Sequence, residues 1–359
     1  MISVGKRKKM PVDKSENNPV YQTFKERKIG LALSGGGHRA AVFHLGVLSY
    51  LAENGLLENV KHLSTVSGGS VVMALIYRLN AYNFPDSRTY LENILPHVHP
   101  YFTEHSLQGS ALLNMLKKLT FINRHSMLSY TLRRNWKIDV NMQDIADKPV
   151  WSINTTVLET GKSWRIEKQK MGSYELGYVT YPEMDLADAV AASAGFPIGI
   201  GPLRLKTEQY DFFPKNMPEQ KSLLLYDGGL YDNLGVEVLI KKNFTKFAKG
   251  IDFVMLSDAS KPLETEPVRY WKRVGRIIDV STEQIRSLKV RLFHKFLHEN
   301  RGDCMHIRIG TEYASLEQDA HSAKSVGTNF KKMSRADFES LQANGYTTAM
   351  KMFDRYLSV

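Results

Sequence analysis

Short apolar runs alternate with helix-like patterns along residues 28–82. The runs KIGLALSG and VKHLSTVSG each lead directly into a segment with apolar positions at helical spacing, HRAAVFHLGVLSYLAEN and GSVVMALIYRLNAY. Strands that alternate with helices of this length are typical of a parallel sheet with crossover helices. The pattern therefore predicts an α/β fold.

Strand-like patterns return in the second half of the chain. PVWSINTTVL and SWRIEKQK predict a hairpin that turns at residues 159–162, and SLLLYDGG and GIDFVMLSDA predict two later strands. Residues 268–300 predict a long basic helix or a helix pair. Residues 333–357 predict a helix with Ser334 as its N-cap and Gly345 as a candidate interruption.

Two segments depart from this alternation. Residues 1–26 are polar and interrupted by prolines, which predicts a flexible basic N-terminal arm. Residues 95–138 contain four leucines at near-helical spacing beside basic residues, which predicts an amphipathic insertion. The pattern leaves open whether the insertion packs on the sheet or acts as a lid or membrane contact. Residues 27–359 are predicted to form a single domain that ends in a helical region at about 268–359.

Composition agrees with a folded protein. Of the 359 residues, 43% are hydrophobic and 24% are charged, as in ordinary globular proteins. We find no apolar signal region behind the basic N-terminus and no apolar stretch of the roughly 20 residues that a membrane span requires. A single cysteine, Cys304, excludes an internal disulfide and fits a reducing compartment. We therefore expect a cytoplasmic location.

The net charge of +11 is unevenly distributed. Residues 1–27 contain 7 basic and 3 acidic residues, residues 95–138 contain 6 and 1, and residues 269–301 contain 9 and 3. Basic segments of this kind attract polyanions such as nucleic acid or an anionic membrane surface, and they also occur as solvated helix faces. Because no recognisable nucleic-acid reading element accompanies the charge, no nucleic-acid partner is expected.

The glycine run at 35–37 admits two interpretations. Gly35, Gly37 and Ala40 fit the G-x-G-x-x-G/A pattern between a predicted strand and a predicted helix, as in dinucleotide-binding loops. However, the next strand leads to Ser67, where such a site would have an acidic residue, and no G-K-[ST] follows the glycines. The sequence therefore favours another use of this loop.

Ser67 lies where a nucleophilic serine would be held. It stands at a sharp turn between a predicted strand and a predicted helix, and Gly68 and Gly69 allow the backbones to approach there. The neighbouring glycine run 35–37 would present backbone N–H groups to the oxyanion of an ester under attack. This combination predicts acyl transfer.

A serine nucleophile also needs a base, since its hydroxyl is protonated at neutral pH. The histidines do not follow late strands, and four of them lie on predicted helices: His38, His44, His294 and His298. The last two lack the Glu of H-E-x-x-H, so we expect them on the surface or in packing contacts, without a metal. Asp227 ends a predicted strand and is followed by Gly228 and Gly229, which makes it the better candidate base.

The order G-G-G-x-R, S-G-G and D-G-G resembles the patatin-like phospholipases, a family that includes bacterial lipid acyl hydrolases with a Ser-Asp dyad. NTTVLETGK and AVAASAGFP also resemble segments of this family, so that the resemblance covers about residues 28–300. It implies a three-layer α/β/α sandwich with a mostly parallel central sheet. It implies no cofactor and no metal for the chemistry.

The resemblance also implies roles for individual residues. Ser67 would be the nucleophile and Asp227 the base, while Arg39 would support the glycine loop or meet the phosphate of a lipid headgroup. The oxyanion hole would contain Gly35, Gly36 and Gly37 with Arg39, and the supporting glycines would be Gly68, Gly69, Gly228 and Gly229. Two small residues depart from the family pattern, Thr65 in the elbow and Ala40 after the glycine run, and we expect altered packing around an intact dyad.

We therefore expect a phospholipase that cleaves fatty-acyl esters of membrane phospholipids through an acyl-enzyme intermediate. Two alternatives remain: a soluble esterase or acyltransferase with the same dyad, and a signal-gated membrane-damaging effector such as a nucleotide-activated bacterial defence phospholipase. The expected partner is an anionic phospholipid surface, with peripheral binding at the inner membrane face. A small-molecule or protein activator, a homo-oligomer, the acyl position and the headgroup preference stay open.

Overall fold

A ten-stranded sheet with helices on both faces forms the centre of the molecule. The structure is a computed structural model. It describes residues 11–104, 106–107, 124–197, 200–214, 221–241, 243–260, 263, 265, 267–311 and 326–358.

The strands are short, as in most sheets of this class. They are β1 (Ile29–Leu33), β2 (Val60–Thr65), β3 (Val150–Val157), β4 (Ser163–Ile166), β5 (Lys170–Ser173), β6 (Gly177–Thr180), β7 (Leu203–Lys206), β8 (Ser222–Asp227), β9 (Ile240–Lys241), β10 (Lys246–Phe247), β11 (Phe253–Asp258) and β12 (Cys304–Arg308). β9 and β10 form a separate two-stranded sheet.

The α-helices range from single turns to long elements. They are α1 (Pro19–Phe24), α2 (Gly37–Glu53), α3 (Gly68–Leu79), α4 (Ser87–Thr89), α5 (His99–Thr103), α6 (Arg124–Trp136), α7 (Leu186–Ser193), α8 (Gly229–Asp232), α9 (Arg273–Glu299) and α10 (Arg335–Leu357). Within the described residues, no helix is both long enough and apolar enough to cross a membrane.

Five parallel strands make up one part of the sheet, in the order β12-β11-β1-β2-β3. Antiparallel pairing begins at β3 and continues through β4, β5 and β6, while β8 pairs with β3 and β7. The predicted α/β class, with a mostly parallel central sheet between helices, is confirmed. The predicted hairpin that turns at 159–162 is also confirmed, as the β3–β4 pair.

One edge of β3 is shared by two strands. β2 pairs with β3 residues 150–153 and β8 pairs with residues 155–157, both opposite the edge that β4 occupies. Because β2 runs parallel to β3 and β8 runs antiparallel, the carboxyl ends of β2 and β8 meet beside Asn154. The residues that follow β2 therefore lie next to the residue that ends β8.

Helix α2 lies almost completely buried between the sheet and α10. The two helices cross at glycines: a Cβ atom on Gly46 would lie 2.0 Å from the Gln342 carbonyl oxygen, and one on Gly345 would lie 2.1 Å from the Phe43 carbonyl oxygen. Gly345 therefore does not interrupt α10, which corrects the sequence interpretation. The predicted N-cap is confirmed, since the Ser334 side chain accepts a hydrogen bond from the Asp337 N–H.

The structure adds detail to the predicted terminal regions. Within the predicted arm 1–26, residues 1–10 lie outside the described residues, but Pro19–Phe24 form α1. Phe24 is fully buried against Phe253 and Phe353, so this part of the range is folded onto the core. The predicted C-terminal helical region also contains a strand, β12, whose apolar side chains are buried beside β11. The domain boundaries themselves stay a prediction.

Residues 105 and 108–123 of the predicted insertion at 95–138 lie outside the described residues. Of its four patterned leucines, Leu107 is described and buried. The other three, Leu112, Leu116 and Leu119, fall outside the described ranges. Whether the insertion acts as a lid stays a prediction.

Substitution of Gly345 by alanine tests the helix crossing. Alanine normally stabilises a helix relative to glycine by about 1 kcal/mol, but here the added methyl group overlaps the Phe43 carbonyl oxygen. We expect Gly345→Ala to lower the free energy of unfolding by roughly 2 kcal/mol, measured by chemical denaturation. At exposed Ala343 in the same helix, removal of a methyl group by Ala343→Gly should cost about 1 kcal/mol. A Gly345→Ala protein more stable than the wild type would contradict the crossing.

Candidate active site

Ser67 occupies a strained turn between β2 and α3. Its backbone has φ 50° and ψ −115°, outside the regions that non-glycine residues favour. The turn requires glycine next to it, since a Cβ atom on Gly68 would lie 2.1 Å from the Gly37 carbonyl oxygen and one on Gly69 would lie 2.5 Å from the Leu33 carbonyl oxygen. A serine held in this way is typical of a nucleophile elbow.

A buried hydroxyl network fixes the backbone of the turn. The Ser67 N–H donates to Ser193 Oγ at 3.1 Å, and Ser193 Oγ donates to the Asn154 carbonyl oxygen at 2.8 Å. Ser70 Oγ lies 2.9 Å from Ser193 Oγ. Ser193 ends α7, within the segment AVAASAGFP, so the network joins the turn to α7 and β3.

Thr65 belongs to the same network, which explains the departure from a glycine at this position of the elbow. Its Oγ1 accepts a hydrogen bond from Trp151 Nε1 at 2.9 Å and lies 2.8 Å from Ser70 Oγ. The threonine side chain is fully buried, so its hydroxyl requires these partners. The hydroxyl of Thr65 therefore adds hydrogen-bond contacts that join β2 to β3 and α3.

Asp227 ends β8 and lies beside Ser67, as the shared edge of β3 requires. The carboxylate is 4% exposed and accepts a hydrogen bond from the Gly229 N–H at 2.7 Å. Burial raises the pKa of Asp227 to about 7, while hydrogen bonding from the Gly229 N–H and the Ser67 hydroxyl lowers it. Near neutral pH this carboxylate therefore exchanges a proton more readily than an exposed aspartate.

The predicted supporting glycines around Asp227 are also crowded. A Cβ atom on Gly228 would lie 2.5 Å from the Asn154 carbonyl oxygen, and one on Gly229 would lie 2.7 Å from Asn233 Oδ1. The backbone at this turn therefore passes too close to its neighbours for any side chain.

The glycine loop at 35–37 has one bonded amide and two amides without an acceptor among the described residues. The Gly35 N–H donates to the Asn233 carbonyl oxygen at 3.0 Å, so this amide is engaged. Gly36 and Gly37 have positive φ angles of 144° and 61°, and their amides have no acceptor among the described residues. The same holds for the Gly68 amide at the start of α3. Two helix N-termini therefore meet beside Ser67.

Arg39 is buried and bonded to the loops around the site. Its guanidinium donates to the Ala259 carbonyl oxygen through Nε and Nη2, and to the Val326 carbonyl oxygen and Thr328 Oγ1 through Nη1, at 2.7–3.3 Å. Burial lowers the pKa of Arg39 to about 10, and the charge of Asp258 opposes this shift. These hydrogen bonds join α2 to the loops at 259 and 326–328, and none of them goes to the glycine run.

Asp258 at the end of β11 was not recognised from the sequence. It is fully buried and accepts a hydrogen bond from the Ser260 N–H at 2.9 Å, and its Oδ2 lies 3.2 Å from His306 Nε2 and 3.9 Å from Arg286 Nη1. These partners hold the pKa of Asp258 well below its usual range. The signal was available in LSDAS, since the ends of parallel strands lie at the same edge of a sheet.

The four histidines considered as candidates, His38, His44, His294 and His298, do not line the cavity with the dyad. Burial lowers the pKa values of His38 and His44 to about 4, and both bind backbone carbonyls at 2.8–2.9 Å. His294 Nε2 lies 2.9 Å from His306 Nδ1, in line with the predicted packing role, and His298 is exposed. No histidine of the described ranges lines the cavity at Ser67.

A cavity of about 500 Å³ opens above Ser67 and Asp227. One wall is apolar and consists of Ala194, Phe196 and Ile200. The charged and polar part of the lining comes from the inner side of α9, which contributes Arg276, Asp279, Thr282, Glu283 and Arg286. The sequence predicted α9 as a basic helix but gave no sign that it lines the site.

The chain is similar to a known protein family and to several solved structures. A family model described as patatin-like phospholipase matches residues 31–240. The structure of human GIVD cytosolic phospholipase A2 aligns with a TM-score of 0.57 and 12% identity, over 94% of this chain and 64% of that chain. VipD from Legionella pneumophila aligns with a TM-score of 0.44 and 15% identity, over 92% and 67%. A search of curated protein sequences gave no match.

Replacement of Arg39 by lysine tests its role. Lysine keeps the charge but cannot reach both loops at once, so Arg39→Lys should lower the free energy of unfolding by about 2–4 kcal/mol, measured by denaturation. Arg88→Lys, at an arginine 79% exposed, should change it by less than about 0.5 kcal/mol. An Arg39→Lys protein of unchanged stability that has lost activity only on phosphate-containing lipids would contradict the support of these two loops.

Proposed function

Because the chain belongs to the patatin-like phospholipase family, we propose that it is a lipid acyl hydrolase that cleaves fatty-acyl esters of membrane phospholipids. The observation that supports this most directly is the placement of Ser67 in a strained turn beside a buried carboxylate. The raised pKa of Asp227, to about 7, suits a group that must accept and return a proton near neutral pH. Ser67 and Asp227 are the proposed nucleophile and base.

In the first half of the reaction, Ser67 Oγ attacks the ester carbonyl carbon while its proton passes to Asp227. The carbonyl oxygen becomes an oxyanion, which accepts hydrogen bonds from the amides of Gly36, Gly37 and Gly68. Each such donor contributes about 3–4 kcal/mol to transition-state stabilisation in related chemistry. The intermediate then expels the lysolipid alkoxide, which takes the proton from Asp227 and leaves an acyl group on Ser67.

In the second half, water replaces the lysolipid. Asp227, again a carboxylate, accepts a proton from water as the water oxygen attacks the acyl carbon. Collapse of this second intermediate returns the proton to Ser67 Oγ and releases the fatty acid. The absence of a histidine from the described lining of the cavity is compatible with this scheme, because one carboxylate serves both half-reactions.

The chemistry of the cavity supports an amphiphilic substrate. Its apolar side, at Ala194, Phe196 and Ile200, suits an acyl chain, whereas the charged side on α9 suits a polar headgroup. Arg39 is assigned to support of the loops at 259 and 326–328, since its guanidinium is already bonded to carbonyl and hydroxyl oxygens there. We propose a phospholipid surface as the partner and, as expected from the sequence, a cytoplasmic location.

The Ser67→Ala variant tests the nucleophile. Removal of the hydroxyl should abolish acyl-enzyme formation and reduce fatty-acid release from phospholipid vesicles by at least about 10³-fold. Ser49→Ala, which removes another buried hydroxyl on α2, should remain within about threefold of the wild type. Fatty-acid release at the native rate by Ser67→Ala would contradict the proposal. If the wild type hydrolyses short soluble esters but not vesicle phospholipids, the soluble esterase is favoured instead.

The pH profile tests the base. Asp227 acts only when ionised and has a pKa of about 7, so kcat/KM should rise to a midpoint near pH 7 and fall about tenfold per unit well below it. Asp227→Asn should lose this activity. Since the folded pKa lies above the usual value, ionisation destabilises the folded state, and Asp227→Asn should unfold at an equal or higher temperature at pH 8. A flat profile between pH 5 and about 8 would count against Asp227.

A further inference from the structure

The outward face of α9, together with residues 268–272 before it, concentrates exposed apolar side chains. Of the 13 exposed large hydrophobic residues in the described ranges, 7 lie between residues 268 and 292. Those exposed by more than half are Tyr270 (78%), Val274 (71%), Ile277 (64%) and Leu288 (53%). Single exposed apolar residues are ordinary, whereas a group on one helix indicates an interaction surface.

Charges on α9 are separated between its two sides. The carboxylates of Asp279 and Glu283 line the cavity, and the inward Arg286 and Lys289 pair with carboxylates. The exposed charged residues between 268 and 298 are all basic; they are Arg269, Lys272, Arg273, Arg291 and Lys295. The outward surface therefore combines apolar and positively charged groups, with an exposed acidic residue only at Glu299.

We propose that this outward face of α9 is the surface that docks on an anionic phospholipid bilayer. Apolar side chains beside basic ones are typical of helices that lie in the membrane interface, where the cations meet lipid phosphates and the apolar groups enter the acyl region. A second copy of the chain fits this face poorly, because pairing would place like charges together. Exposed aliphatic side chains also offer little to a nucleic-acid backbone.

The other side of the same helix forms the charged wall of the cavity. Arg276, Asp279 and Glu283 lie in the same turns as Val274, Ile277 and Val280. Because α9 has 27 residues and is about 40 Å long, it can lie along a bilayer over several lipid headgroups. Docking through α9 would hold the Ser67 cavity at the lipid surface, an inference that extends the proposed function.

Vesicle co-sedimentation of a Ser67→Ala protein measures docking without hydrolysis. The Ser67→Ala protein with α9 unchanged should bind vesicles of phosphatidylcholine with 30% phosphatidylglycerol at least about tenfold more tightly than vesicles of phosphatidylcholine alone. Added salt should weaken this binding. Ile277→Asp and Leu288→Asp should each reduce binding about tenfold or more. Leu158→Asp is the matched control, since Leu158 is 54% exposed on a turn far from α9 in sequence, and it should bind like the parent.

A second pair of variants separates charge from apolar contact. Lys295 on α9 and Arg335 on α10 are both 73% exposed and both pair with a glutamate one turn ahead. Lys295→Glu should reduce binding to anionic vesicles about tenfold, whereas Arg335→Glu should leave it within about twofold.

Hydrolysis assays of α9 variants that retain Ser67 separate this inference from the proposed function. The α9 variants should lose vesicle hydrolysis in proportion to binding and keep turnover of a short soluble ester. The docking surface alone would be overturned if the enzyme is active but the α9 substitutions leave its vesicle binding unchanged. It would also be overturned if the control substitutions reduce vesicle binding as much as the α9 substitutions do. Loss of a concentration-dependent dimer in the α9 variants, with vesicle binding intact, would assign the face to a second copy and also overturn it. Failure of the proposed function would appear instead as an inactive wild type whose Ser67→Ala form still binds anionic vesicles through α9.

Discussion

The site depends on a direct contact between two backbones, those of Gly68 and Gly37. A side chain on Gly68 would fall 2.1 Å from the Gly37 carbonyl oxygen, so the serine turn and the glycine loop lie as close as main chains can. This contact follows from the pairing of β1 with β2 as parallel neighbours, each of which leads at once into a helix. It brings the two helix N-termini together at Ser67, where their partial positive charge favours an anion.

The carboxylate opposite the turn is almost completely buried, although it lines the cavity. Asp227 reaches Ser67 from the far side because β8 approaches along β3 in the direction opposite to β2. Burial there raises its pKa, but the Gly229 N–H keeps an ionised form accessible near pH 7. The backbone contact and the raised pKa are therefore two consequences of one arrangement of strands.

Local sequence predicted the parts of the site that local chemistry determines. The elbow at Ser67, the glycine run and the strand that ends on Asp227 are each specified by a few adjacent residues. The engagement of the Gly35 amide by Asn233 could not be predicted, since it joins residues almost 200 positions apart. Likewise, the glycine pattern in α10 was compatible with an interruption, and only the position of α2 shows why Gly345 is required.

The basic segment around α9 shows what the fold adds to a charge count. Residues 269–301 contain 9 basic and 3 acidic residues, and this excess of positive charge was compatible with a solvated helix face as well as with a polyanion site. The core determines the rotation of the helix: Phe293 and Phe296 are buried, which turns Asp279 and Glu283 toward the cavity. The side chains of α9 that remain exposed then include both basic and apolar groups. A solvated face explains the cations but not the apolar group between them, whereas a lipid surface explains both.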